Sequence, residues 1–227
     1  MDADQPESLA SFVARDWKLV RQEVTFASLF VILVTAVFSF LDLYFYELDS
    51  LYYLVGLVVW VVNYLLFVRL MERAGLLEDG QTTGIGTYFV LGLATGIPII
   101  LAGVFFILPG AYLLMRWLPA YGWAMTTFGG VSNAMHWSWE ATSAHQALLS
   151  KALIGPVLLF IFAILIWAHY AFVYYVEWDY SFAYELVTSI AANVSDAVSR
   201  VWLTATSVTA FGLVSQNGGR SAPDINA

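Results

Sequence analysis

The stretch VTFASLFVILVTAVFSFLDLYFY, residues 24–46, decides the fold, because it is apolar over a membrane-spanning length and carries one formal charge, Asp42. A helix crosses a hydrocarbon core with about 20 apolar residues, and only helices and closed barrels satisfy every backbone polar group there. Residues 51–71 repeat the pattern, interrupted by Asn63 and Arg69. Of the 227 residues, 60% are hydrophobic and 11% charged, and the mean hydropathy is +0.75, outside the range of ordinary globular domains. The composition implies an all-α polytopic transmembrane helical bundle and leaves no room for a solvated second domain.

Residues 80–115 carry no charge and are too long for one untilted span. Pro109-Gly110 interrupts them, and since Pro lacks a donor while Gly permits reversal, the dipeptide reads as a tight turn. That places a third span over 87–108 and a fourth over 111–128, the fourth containing Arg116 and Pro119. A fifth span, 152–176, has no formal charge. The sixth, 201–214, is short, and full length brings in Arg200 and Asp196, which are four apart and can pair on one helix face. Before the first span, Leu9, Phe12, Val13, Trp17 and Val20 recur at helical spacing among Arg15, Lys18 and Arg21, the pattern of an amphipathic helix on a membrane surface. The domain plan is a cytoplasmic segment over 1–23, a transmembrane domain over 24–215 and a disordered cytoplasmic tail over 216–227.

Basic residues assign the sides, since cytoplasmic connections retain Lys and Arg. Arg15, Lys18, Arg21, Arg69, Arg73, Lys151 and Arg220 fall on one side of the six-span plan. The opposite connections carry Glu47, Asp49, Glu177 and Asp179, with aromatic clusters around Tyr44–Tyr53 and Tyr170–Tyr180 suited to an interfacial belt. This predicts a multi-pass protein of the bacterial inner membrane with both termini cytoplasmic. The four acids read as solvated loop charges before they read as a cation-attracting mouth. A net charge of −8 argues against nucleic acid or a polybasic lipid clamp as the main partner, and the absence of Cys excludes disulfides, thiolate nucleophiles and iron–sulfur sites.

Few residues invite chemistry. His136 and Glu140 share a helix face at four-residue spacing, but His145 lies five further on, about 140° round the helix, so no third metal ligand joins them. His169 lies within the fifth span, between Trp167 and nearby aromatics, where an axial cofactor ligand could project; the alternative is a His bonded to a neighbouring helix. Arg116 lies six residues past Gly110, roughly 9 Å along a helix, too deep to be free of cost. Asp42 is the depth-matched acid, and the expectation is a structural Asp42–Arg116 ion pair.

Two further blocks carry a resemblance. LPGAYLLMR (108–116) and AMHWSWEATSAH (134–145) resemble, in order and spacing, motifs of the bacterial glycerophosphoryl diester phosphodiesterase membrane-domain family, through Pro109, Gly110, Tyr112 and Arg116, then Ser138, Trp139, Glu140, Thr142 and His145. The resemblance implies a helical membrane domain without catalysis, since the family's phosphodiesterase chemistry looks to be carried by a separate barrel of about 250 residues. Where relatives usually have a basic pair before the Ser-Trp-Glu of the second motif, Ser138-Trp139-Glu140 here, this chain has His136 and Trp137. Residues 132–146 read as an interfacial helix capped by Ser132, with Met135, Trp139 and Thr142 on one side. The expected function is a non-enzymatic accessory or scaffold in a membrane complex or in lipid homeostasis, with no cofactor or metal and with lipids and a membrane protein as partners. The alternative is a subunit or transporter binding a quinone, carotenoid or chlorin near His169.

Reporter fusions test the orientation: one at Ala227 and one after Asp49 are expected to report opposite compartments, and the same compartment for both would mean that a span has been miscounted.

Overall fold

The computed structural model describes residues 8–45, 49–77, 82–127, 129–176 and 181–217. Glu47, Glu177, Asp179, the Asp49 side chain and the tail beyond Asn217 lie outside the described residues. The described residues form helices and no strands: α1 Leu9–Gln22, α2 Val24–Tyr44, α3 Asp49–Arg73, α4 Ile85–Phe105, α5 Ile107–Trp117, α6 Ala120–Thr126, α7 Gly130–Ala141, a 3-10 turn Ser143–His145, α8 Gln146–Val176 and α9 Phe182–Asn217. The chain is an all-α polytopic membrane bundle, and five of its helices, α2, α3, α4, α8 and α9, are long and apolar enough to cross a membrane.

The described chain divides into two compact units, residues 8–22, 67–153 and 205–217 in the first and 23–66 with 154–204 in the second. In the first unit, α4 and α5 form a helical hairpin. The reversal is at Phe106, whose backbone is extended (φ −154°, ψ 123°), three residues before the expected Pro-Gly turn. Pro109 sits inside the first turn of α5, where a helix has no use for its amide hydrogen. Gly110 acts through packing instead. A Cβ there would lie 2.9 Å from Gly103 Cα and 3.1 Å from the Ile99 carbonyl, so the missing side chain lets α5 lie against the α4 backbone. The expected fourth span is divided at Leu118-Pro119 into α5 and α6, each too short to cross alone, although both linking residues keep right-handed helical angles.

Helix α3 ends in a Schellman motif. Gly75 adopts φ +67°, its amide donates to the Glu72 carbonyl at 2.9 Å, and the Leu76 amide reaches back to the Met71 carbonyl at 3.0 Å. This fixes the direction in which Leu76 leaves the helix.

The second unit is built on α9. Ser199 donates to the Pro156 carbonyl of α8 at 2.9 Å, and any side chain at Gly155 would overlap the Trp202 indole. Thr204 donates to Asn63 Oδ1 of α3 at 3.2 Å, and Tyr170 to Glu185 at 2.7 Å. The sixth span is therefore complete: α9 begins well before Val201, and the Asp196–Arg200 pair inside it closes at 2.7 Å. Within the protein, 72% of α9's membrane-spanning window is buried, against 17% for α3 and for α4.

The hairpin yields a paired prediction. Gly110→Ala is expected to destabilise by about 1–3 kcal/mol through overlap with rigid backbone. Gly103→Ala, whose Cβ would meet nothing within 4 Å, should be neutral or slightly stabilising. Melting temperatures in detergent check this, and equal effects at both positions would contradict the hairpin geometry.

Candidate functional site

The two motif blocks meet in the first unit. The Ser138 hydroxyl of α7 donates to the Arg116 carbonyl of α5 at 2.6 Å, and the Thr142 hydroxyl donates to the Ser138 carbonyl at 2.8 Å. The Arg116 guanidinium lies over the Trp139 ring, 4.3 Å from its centroid, and Tyr112 meets the same indole edge-on at 5.9 Å. Arg116 is only 4% exposed, and among the described residues its Nε and Nη1 have no hydrogen-bond partner. The π face of Trp139 is thus what compensates the buried cation.

The stripe that packs inward is Ala134 and Ser138 of α7 with Thr142 at its C-cap, all fully buried, whereas Trp139 remains 39% exposed. The helix begins at Gly130 and ends at Ala141, so Ser132 is not its cap and the 3-10 turn carries His145 beyond it. Small residues win the inward face because α5 and α6 approach closely there. Glu140 does not join the cluster: it and His136 are exposed and face each other at 3.7 Å.

In the second unit, Asp42 holds a polar network. Its Oδ1 accepts from the Tyr52 hydroxyl at 2.9 Å, and its Oδ2 accepts from Ser189 at 2.5 Å and from Asn193 Nδ2 at 2.9 Å. Asn193 also donates to Ser39 at 3.2 Å. Depth along the sequence pairs this carboxylate with Arg116; the partners found within its own unit are three neutral donors, while Arg116, in the other unit, is seated on Trp139. A hydroxyl costs little to bury beside a carboxylate, while a guanidinium brings its own desolvation.

His169 lies on an exposed face of α8, edge-on to Tyr184 with centroids 6.2 Å apart. Neither the cavity along α2 and α9 nor the one among α1, α3 and α9 includes it.

Asp16 is a buried acid that periodicity alone does not single out. The buried side of α1 is Phe12, Asp16 and Leu19, while Trp17, which suggests the apolar face in the sequence, is 59% exposed. A signal exists: Asp16 stands at i+4 from Phe12 and three before Leu19, an acid within an apolar stripe. Thr206 of α9 donates to Asp16 Oδ2 at 2.8 Å. Burial pushes the Asp16 carboxyl up to about 6, opposed by the Thr209 and Thr206 hydroxyls and by Arg15, and burial also lowers the Arg15 guanidinium from its ordinary value.

No family model, curated protein or solved structure matches this chain.

A pH prediction follows from Asp16. Its ordinary value is 3.8 and its folded value about 6, so between these the folded chain binds more protons than the unfolded one. Stability contributed by this group is present below the unfolded value and is lost as pH rises through about 6. Relative to Asp16→Asn, the wild type should gain about 1 kcal/mol of stability on going from pH 7 to pH 5, the part of the shift that lies between the folded value and pH 5. Paired melting curves at the two pH values read this difference, and a relative loss at pH 5 would contradict it.

Proposed function

We propose that the chain is a non-enzymatic accessory or scaffold protein of a membrane complex or of lipid homeostasis, seated in the bacterial inner membrane with both termini cytoplasmic. The observation that carries the reading is the fate of the motif residues. Arg116, Ser138 and Trp139 are engaged in fastening α5 to α7, and Thr142 bonds back to the Ser138 carbonyl. Buried groups held by packing and by backbone carbonyls serve a fixed shape better than they serve turnover. The resemblance to the glycerophosphoryl diester phosphodiesterase membrane domain supports the same reading, because it touches only the membrane part of that family.

The orientation rests on the distribution of Lys and Arg, with α5 and α6 taken together as the returning pass after the hairpin at Phe106 beside the five long apolar helices. A protein of this kind meets its neighbours through exposed side chains. Trp139 and Tyr112 present an aromatic edge beside the fastening contacts, and Trp and Tyr are favoured where one end of a ring is apolar and the other wet.

The purified full chain should hydrolyse glycerophosphodiesters no faster than buffer, and Glu140→Gln should change nothing. Ser138→Ala, which leaves the buried Arg116 carbonyl without its donor, should cost about 1–3 kcal/mol of stability. Hydrolysis above background that disappears in Glu140→Gln would overturn the reading, as would Ser138→Ala that leaves the melting temperature unchanged.

A further inference from the structure

The first unit holds a cavity of about 230 Å³ bounded by α1, the end of α3 with Leu76, and the last turns of α9. Its charged lining is Arg15, Lys18 and Arg73, three of the nine Lys and Arg residues in a chain of net charge −8; among the described residues no carboxylate lines it, and Asp16, which interacts with Arg15, is buried toward Thr206 of α9. Gln22, Thr209 and Gln216 add neutral groups. The net charge of the whole chain therefore does not describe this site, whose described lining is cationic.

The local sequence explains how the cations converge. Arg15, Lys18 and Gln22 stand at i, i+3 and i+7 on α1, one above another on a single side. Arg73 lies in the last turn of α3, and the Schellman motif at Gly75 turns the chain so that Leu76 reaches the same space. On α9, Gly212 keeps the floor open, since a Cβ there would come within 3.3 Å of Leu76 Cδ1.

We infer that this cavity binds the anionic phosphate headgroup of a membrane phospholipid. Two guanidinium groups and an ammonium match phosphate oxygens in charge and in donor geometry, with Arg able to bind bidentately. The volume is below the roughly 300–1,000 Å³ of pockets that take a whole drug-sized ligand, and suits a headgroup whose chains remain outside. The source is lipid rather than free phosphate because of the other side of α1. Trp17 at 59% exposure and Leu9 stay uncovered there, which seats the helix in the membrane interface and holds its cationic side at headgroup depth. The inference goes beyond the scaffold reading and does not depend on it.

The test is native mass spectrometry of the full chain in non-ionic detergent with phosphatidylglycerol or phosphatidylcholine at equal concentration, with inorganic phosphate as competitor. Phosphatidylglycerol should be retained about tenfold better than phosphatidylcholine and should survive an equal concentration of phosphate. The pair Arg15→Gln and Arg73→Gln should abolish that preference, and Arg21→Gln, which removes the same type of charge from outside the cavity, should keep it. Arg73→Gln alone, at an exposed position, gives a folded variant with a several-fold loss if the pair does not fold. The inference is overturned by a preference that survives loss of the cavity arginines, by an equal loss in Arg21→Gln, by no headgroup preference, or by displacement of the lipid by phosphate.

Discussion

A hydroxyl or amide carried into hydrocarbon must find its partner inside the protein, and α9 concentrates that constraint. Its buried polar residues run from Thr188 through Asn193 and Ser199 to Thr209. Some satisfy themselves locally, as Thr188, Ser195 and Thr204 do by bonding the carbonyl four residues back. Others require neighbours: Ser199 uses the Pro156 carbonyl, Ser207 the Leu118 carbonyl, Ser189 and Asn193 the Asp42 carboxylate, and Thr206 that of Asp16. A helix with these demands has to be enclosed, which is why it is mostly buried while α3 and α4 keep most of their surface for lipid.

Charges inside the apolar segments are accommodated in three different ways. Asp42 gathers neutral donors, Asp196 and Arg200 pair with each other one turn apart, and Arg116 lies on an indole. Each arrangement lowers the cost of burial without demanding a second ion from a distant helix, and each ties its helix to a defined place. The Arg116 arrangement also fixes the relation of α5 to α7, because the same residue offers its carbonyl to Ser138. A cavity whose described lining carries three cations is different in kind, since nothing about packing alone requires three positive charges to face one space.

Composition and hydropathy by themselves determined the class: 60% hydrophobic residues and long uncharged windows admit a helical membrane bundle and little else. The Asp196–Arg200 pair was equally legible, because i,i+4 spacing brings two side chains together on any helix. The two motif blocks could be recognised as a pattern, though their meeting at Trp139 could not, because it depends on how α5 and α7 pack. Tertiary structure alone decided which side of a helix turns inward. On α1 the choice fell on Phe12, Asp16 and Leu19 because Thr206 could receive the acid, and on α7 it fell on small residues because neighbouring backbones come close. The hairpin reversal at Phe106 was hidden for the same reason: Pro109-Gly110 is a turn signal in isolation, but against the α4 backbone Gly110 is more valuable as a contact without a side chain. Local chemistry sets what a segment can be, and only the neighbours that cover it set which of its faces is used.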